Sequence, residues 1–563
     1  MDDPEPTAGG PPIMSDRIFS VKAICIALFV VSQLLGSGLR AEMSELLLTL
    51  HGTEEQEEFG CELANVGDVN GDGCADLLVG ASRDLLDGFG RGHLFFGGSG
   101  FDTIPDVIFV GEEYIDGFAE ALAGAGDLNG DGFDDIIIGA RANDEVGWNT
   151  GKAYIYFGGA VVDSIPDVEL YPSFGGSFGC RVAGCGDVNV DGYDDVVIGA
   201  TKNNGGQAFV YFGGSPMDTL FDLSLEGGPR ELFGCAVCGG ADVNADGYPD
   251  IVVGDPWYSA GRAYVYFGGP LLDPVEDLVL EGEGWNDHFG GNVAMSDLNG
   301  DGAAEVIVSA DLCGPDRGRV YVYRGGETID EIPDLIMTGQ EGDQTLGNNM
   351  VTGADLDGDG YQDLCLWSMW PERYLVHEGG PFMDRVEEVV VVTPGANGDV
   401  FGSGRAMFAG SDSLTGDGTP DLVVGACKAF FQGLGHAGKV YFFSLFDAPV
   451  EIATIPHARQ IPQGGQLRYR VEADNTTDEP QTFLVWSEVT LPNGLLYEGN
   501  PIWGPLTRTV GSSAVAELAQ PIPPGAPPGQ YSWTVRVGPV WSVYPDSVWD
   551  TSSFEFKIVS ADR

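Results

Sequence analysis

Cationic side chains are scarce in this chain. Its 563 residues hold 26 Lys and Arg against 86 Asp and Glu, a formal net charge of −60. Such a surface repels nucleic acid and anionic membranes, so neither is an expected partner, and it suits polyvalent cations. Histidine is scarcer still, with six residues in all. None stands beside a Ser or Cys in a nucleophile motif, and His93 falls in an aromatic slot that reads as structural. Of ten cysteines, Cys25 lies in an N-terminal apolar run, which leaves an odd nine with none beyond Cys427. A disulfide framework is therefore not the organising device. Cys235-Ala-Val-Cys238 spells a CxxC, but it follows Phe233-Gly234 on a strand pattern rather than opening a helix, so it reads as small residues filling a tight strand. Cys313, Cys365 and Cys427 read as buried or accidental.

Long apolar runs are also missing, with one exception. Arg17 and Lys22 precede an apolar stretch from Ala23 to Leu34, followed by Gly-Ser-Gly. This is the layout of a secretory signal, and the stretch is short for a membrane span. Met14 is a candidate true start. Residues 1–41 are expected to be an N-terminal extension and signal peptide of a secreted or cell-surface protein, with no membrane span after cleavage. Retention as an anchor is the alternative.

Glycine is abundant, 86 residues, which favours many turns and short strands. High acidity can mark disorder, but aromatic and β-branched residues recur here at regular intervals. A unit repeats roughly every 55–60 residues, the period of a propeller blade or solenoid turn. It reads Phe-Gly, then Asp-x-Asn-x-Asp-Gly-x-x-Asp, then a short apolar run ending Gly-Ala. Each unit predicts four strands. The third alternates aromatic residues, as in Tyr154-Ile-Tyr156 and Tyr264-Val-Tyr266, the pattern of a strand with one buried face. A lone fourth-strand segment, Leu46 to Leu50, precedes the first unit, and the last unit stops after its third strand, Val440 to Phe443. This offset predicts a closed ring in which the N-terminal strand completes the seventh blade and protects the sheet edges.

The acidic loops place oxygen side chains at positions one, three, five and nine, and position seven can add its carbonyl. The first four are Asp68/Asn70/Asp72/Cys74/Asp76, Asp127/Asn129/Asp131/Phe133/Asp135, Asp187/Asn189/Asp191/Tyr193/Asp195 and Asp242/Asn244/Asp246/Tyr248/Asp250. The fifth, Asp297/Asn299/Asp301/Ala303/Glu305, ends in a side chain one methylene longer. The sixth is Asp355/Asp357/Asp359/Tyr361/Asp363. The seventh is degenerate, with Ser413 and Thr415 before Asp417 and Asp421, and is expected to be weakest or empty. A hard cation with six or more oxygen ligands fits this set. Zinc does not, since no His or Cys side chains converge there. Magnesium demands a stricter octahedron, so calcium is the expected ion, about five to seven per chain. A single Asp-Gly loop is equally a hairpin turn; repetition in one register is what favours the metal.

Together, Phe-Gly, the acidic loop and the closing Gly-Ala resemble FG-GAP repeats, which build the propeller of integrin α subunits and of many secreted bacterial proteins. The resemblance covers about residues 46–443. It implies a seven-bladed propeller, calcium in hairpin loops on one face, and extracellular adhesion or ligand recognition. Nearly all blades here carry loops, and no inserted domain separates the second from the third. The secreted bacterial type is therefore the better match, and nothing points to an integrin-style partner subunit.

Beyond Leu445 the loops vanish. Strand-like runs such as Gln466 to Val471 and Tyr531 to Val537, separated by turn-rich stretches, predict a small antiparallel β-sandwich, immunoglobulin-like in architecture. The expected fold is all-β: residues 42–445 a seven-bladed propeller, residues 446–563 the sandwich. Trp148, Trp257, Trp285, Trp367 and Trp370 fall in variable loops between repeats, where they could meet a ligand. The leading functional expectation is a non-enzymatic extracellular protein that binds a protein or glycan. A carbohydrate-active enzyme or lectin-like accessory module, and a structural cell-surface component, are the alternatives.

Overall fold

The computed structural model describes residues 43–52, 57–82, 89–114, 116–172, 176–201, 205–227, 232–257, 259–313, 317–339, 345–356, 360–369, 372–381, 389–391, 407–409, 414, 420–427, 437–446, 450–456, 460–462, 466–475, 481–490, 503–510, 513–521, 529–539 and 550–559. Residues 1–42, where a signal is expected, and Trp370, His436 and His457 lie outside them.

Seven antiparallel four-stranded sheets follow one another along the chain. Blade one is Phe59–Asn65, Leu77–Ala81, Arg91–Phe95 and Val107–Val110, paired in chain order. Blades two to six repeat that order, beginning at Phe118, Phe178, Ala236, Phe289 and Met350. Blade seven is different. Met407–Ala409, Asp421–Gly425 and Lys439–Phe446 are joined by Met43–His51 from the other end of the chain. That strand runs antiparallel to the third, with Met43 opposite Phe446 and His51 opposite Lys439. The ring therefore closes as the offset of the repeats predicted, and the third strand of blade seven is not left as an edge.

The core lies between blades. One apolar cluster joins Ile137 and Ile155 of blade two to Phe178, Ile198 and Phe209 of blade three. Equivalent clusters link blade one to two, three to four and four to five. The Phe of each Phe-Gly sets its ring edge against an aromatic residue on its own third strand: Phe118 on Tyr154 and Phe289 on Tyr321, with centroids 5.4 and 5.2 Å apart. The third strand departs from the expected single buried face. Tyr154 and Tyr156 on one side and Ile155 on the other are all buried, because each sheet is covered by a neighbouring blade on both faces. Trp367 is also corrected. It is a buried core residue of the strand Leu364–Met369, not a loop residue.

Contacts divide the chain into two compact units, and residues 451–475 and 479–563 belong to the second. Its strands form a three-stranded sheet, Val450–Pro456, Gln466–Asn475 and Ser513–Pro521, and a five-stranded sheet. In the latter, Gln460–Pro462 pairs parallel with Asp550–Val559, where a purely antiparallel domain was expected. Among the described residues no helix is long and apolar enough to cross a membrane.

Candidate metal centres in the repeated loops

Each acidic loop joins the inner strand of a blade to the second, and its backbone shape follows from its own side chains. In blade one, Asp68 accepts N–H bonds from Gly71 at 2.8 Å, Asp72 at 2.9 Å and Gly73 at 2.8 Å. Asp72 Oδ1 accepts from Cys74 N at 2.9 Å. The bonds from positions five and six to position one, and from position seven to position five, recur at Asp127 and Asp131, Asp187 and Asp191, Asp242 and Asp246, and Asp297 and Asp301; the bond from position four recurs from Gly130 to Asp127. Position six is glycine in each, with φ +90 at Gly73, +92 at Gly132, +95 at Gly192 and +93 at Gly302, and open space where a Cβ would stand. Glycine is needed there for its conformation alone.

Position three, expected to offer an oxygen to the ion, also braces the turn. Asn70 Oδ1 accepts from Asp72 N at 2.8 Å, Asn189 Oδ1 from Asp191 N at 2.8 Å and Asn244 Oδ1 from Asp246 N at 2.9 Å. Each of the three amides also donates to the position-five carboxylate, at 3.0–3.1 Å: Asn70 to Asp72, Asn189 to Asp191 and Asn244 to Asp246. An oxygen occupied by one N–H keeps a second lone pair, so bracing and ligation are compatible. Asn129 is half-buried at the same place in the second loop. Position seven, expected to offer its carbonyl, is fixed through its own N–H. Tyr248 N donates to Asp246 Oδ1 at 3.0 Å and Ala303 N to Asp301 Oδ1 at 3.2 Å. Ala303 is buried, unlike its exposed neighbours Asp301 and Gly302.

The carboxylate at position nine is buried in every described loop. Asp76 accepts from Val69 N at 3.1 Å and Gly97 N at 2.9 Å, the first within the loop and the second just past the third strand. Asp135, Asp195, Asp250 and Asp363 make the same pair of bonds. Burial pushes Asp76, Asp135, Asp195 and Asp250 up to about 7; the two backbone donors oppose the rise and the neighbouring loop carboxylates add to it. Glu305 accepts from Leu298 N at 2.9 Å, but its other oxygen takes the side-chain amide of Asn299. The extra methylene thus draws the position-three amide inward and gives this loop a distinct arrangement. Asp355 still caps Gly360 N at 2.8 Å. Asp357, Asp359 and Asp417 lie outside the described residues, and Asp421 is buried at the start of its strand.

Two contacts were not foreseen. Asp134, at position eight, reaches the preceding loop and accepts from Asp68 N at 2.7 Å; Asp194 does the same for Asp127 N at 2.8 Å. The Asp-Asp doublets at 134–135 and 194–195 are the trace of this in the sequence. The position-seven side chain also packs across blades. Phe133 lies where a Cβ on Gly71 would stand, and Tyr193 and Tyr361 lie so against Gly130 and Gly300. Tyr248 instead lies beside Gly269 of its own blade, 3.1 Å from where a Cβ would be. The Gly-Gly pair after the third strand of blades one to six completes the lattice. In blade one, Gly97 N donates to Asp76, and Gly98 N to the Leu414 carbonyl of blade seven at 3.0 Å. The last bond recurs from Gly159 to Val69, Gly214 to Leu128, Gly269 to Val188, Gly326 to Val243 and Gly380 to Leu298. The loops are therefore connected from blade to blade.

The donor set is all oxygen, and it concentrates negative charge in a turn already held by N–H bonds, chemistry suited to a hard divalent cation. Among the described residues no three His, Cys, Asp or Glu side chains converge as a finished cage; the buried position-nine carboxylate accepts from backbone donors. Among the described residues the cysteines supply no rival site. Burial pushes the Cys235 thiol up to about 12 and Cys238 to about 11, the reverse of an activated redox pair. His93 is buried edge-on to Phe59, centroids 5.3 Å apart.

A blade with this inner strand, loop and second and third strands is an FG-GAP repeat. A family model described as FG-GAP repeat matches residues 63–95, 118–156 and 233–266, and one described as FG-GAP-like repeat matches 297–366. The propeller is of the integrin-α-like FG-GAP kind. Integrin alpha-5 of Xenopus laevis is 30% identical over 224 residues, 37% of this chain and 21% of that protein. Integrin alpha-7 of Rattus norvegicus is 34% identical over 187 residues, 32% of this chain and 16% of that one. The chain thus spans about a fifth of the length of these relatives. Among solved structures, a CARDB domain from Pyrococcus furiosus is 15% identical, with 20% of this chain and 87% of that one covered, at a TM-score of 0.15; that likeness carries no argument.

Proposed function

We propose that the acidic loops bind calcium and that the loaded propeller is a non-enzymatic extracellular binding protein. The observation that carries the metal reading is the repetition of one loop geometry in successive blades. In each, backbone N–H groups already orient the carboxylates of positions one and five, and a glycine near φ +90 supplies the bend. Bound calcium would neutralise the crowded carboxylates. Asp68, Asn70, Asp72 and Asp76 and their equivalents would hold it, with the position-seven carbonyl. About five to seven ions are expected, the first four blades filling first because their loop pattern is intact. The integrin α likeness and the N-terminal signal pattern support an extracellular place. We further propose residues 1–41 as signal, 42–445 as propeller and 446–563 as an immunoglobulin-like sandwich, whose two sheets fit that architecture.

If each loop binds with a dissociation constant near 0.1 mM in about 1 mM calcium, each contributes about 1.4 kcal/mol. Five loops then raise the melting temperature by on the order of 10 °C. Thermal unfolding in calcium and in chelator, with metal content by mass spectrometry, tests this. Identical curves together with substoichiometric calcium would overturn the reading.

A further inference from the structure

The end of the propeller opposite the acidic loops carries exposed indoles: Trp148 in blade two stands apart, and Trp257 and Trp285 sit on adjoining loops. Trp257 lies in the hairpin after the second strand of blade four, Asp250–Asp255, and Trp285 in the connection from Leu278–Glu281 to Phe289–Ser296 of blade five. They are 63% and 79% exposed. The two loops are tied together, since Asn286 N donates to Ser259 O at 3.0 Å. Trp257 rests on His288, ring centroids 5.5 Å apart. His288 Nδ1 is 3.4 Å from Asp311 Oδ1, and Asp311 Oδ2 accepts from Asn348 Nδ2 at 2.8 Å. Trp257 is thus held in place before any ligand arrives, on a loop tied to that of Trp285, which lowers the entropic cost of binding.

The surroundings choose among ligands. Glu283 is paired with Arg319 at 2.5 Å, Asp287 accepts from the Cys313 thiol at 3.3 Å, and Asp311 is held by His288 and Asn348. These partners fix the carboxylates as oriented hydrogen-bond acceptors, and the chain's net charge of −60 repels polyanions. Among the described residues of these two loops, no large hydrophobic side chain other than the two tryptophans is exposed. A protein-docking patch would surround its aromatic anchors with aliphatic neighbours. Isolated indole faces among hydrogen-bonding groups suit a neutral polyhydroxylated ring: its C–H face stacks on indole, and its hydroxyls meet the free lone pairs of the carboxylates.

We infer that Trp257 and Trp285 form a binding subsite for a neutral glycan. This rests on the binding reading above and names its ligand class. The probes are neutral hexaoses of β-1,3-glucose, β-1,4-glucose, mannose and galactose, titrated by calorimetry and tryptophan fluorescence into the full calcium-loaded chain. At least one hexaose should bind without being cleaved and shift the emission. Trp285→Ala should weaken that affinity about tenfold or more, and Trp257→Phe less, with melting temperatures unchanged. Failure of every hexaose, or equal affinity in both variants, overturns the assignment. Retention of an extracellular protein in a Trp285-dependent manner, with no hexaose bound, overturns the glycan while leaving the binding reading intact.

Discussion

Gly132 and Gly158 stand in the same blade and need to be glycine for different reasons. At Gly132, φ is +92 and a Cβ would meet nothing within 4 Å. An L side chain there pays only for its conformation, about 1–2 kcal/mol. At Gly158 a Cβ would come within 2.2 Å of the Asp134 carbonyl oxygen, so the strand end and the loop would have to separate. Gly132→Ala should therefore lower stability in chelator by about 1–2 kcal/mol and Gly158→Ala by more. Urea unfolding decides, and a reversed order would refute the distinction. The buried acids make a second residue-scale prediction. Asp76, Asp135, Asp195 and Asp250 stand at about 7 when folded, against an ordinary 3.8. The folded chain then binds these protons more tightly than the unfolded one. Their stabilising contribution is complete below about 4 and is lost as pH rises through about 7. Without divalent cations the melting temperature should fall across that window. With calcium holding the ionised form, the fall should flatten. Parallel curves in chelator and in calcium would count against the loops as metal sites.

Neighbouring loops are coupled, and the coupling has a direction. The Asp134 carboxylate belongs to the second loop but caps Asp68 N of the first. Asp134→Ala removes that acceptor and leaves a partly buried N–H unpaired, at a cost of about 1–3 kcal/mol. It should weaken calcium binding in the first loop more than in its own. Asp134→Asn keeps an oxygen acceptor and should cost less. Calcium titration of the single variants and of the double variant with Asp68→Asn checks this: if the first loop is the one affected, the second substitution adds little. None of this was legible in the repeat pattern. The doublet at Asp134-Asp135 reads as one ligand and a spacer, because the contact joins residues 66 apart. The loop's oxygen positions were legible, since they are set within nine residues of chain. What those oxygens hold was less so: spacing cannot tell that Asn189 and Asn244 already bind the backbone of their own turn. The same limit explains Trp367. Its run, Leu364 to Met369, was one apolar stretch beside Trp370, and only the neighbouring blades decide which residues they cover.

The ring as a whole was the most legible feature, because closure leaves a mark at both ends of the chain. A strand stands before the first repeat and is missing after the last. Its partner, Lys439–Phe446, depends on it: eight of the nine residues of Met43–His51 take register partners there. Leu50 joins Phe59, Val79, Val423 and Phe442 in the core between blades seven and one. Removing residues 43–51 should therefore do more than shorten an end. It uncovers the backbone donors and acceptors of a hydrophobic third strand, Val440-Tyr-Phe-Phe443, a template for pairing with another chain. It also opens the ring at the blade that Gly98 N bridges through the Leu414 carbonyl. A chain lacking those nine residues is expected to self-associate in gel filtration and to lose the single cooperative melt. Leu48→Asp in the intact chain should show a milder form of both, since Leu48 packs on that same core from the closing strand. Calcium separates closure from general damage. The loops of blades two to five are far along the chain from the closing strand, so the truncated chain should still take up calcium there while failing to remain monomeric. A truncated chain that stays monomeric and melts like the intact one would show that the fourth strand of blade seven is dispensable. Closure would then rest on the contacts of blade one with the other three strands of blade seven, those of Phe59 with Gly438 and Ala437 and of Gly98 with Leu414 among them.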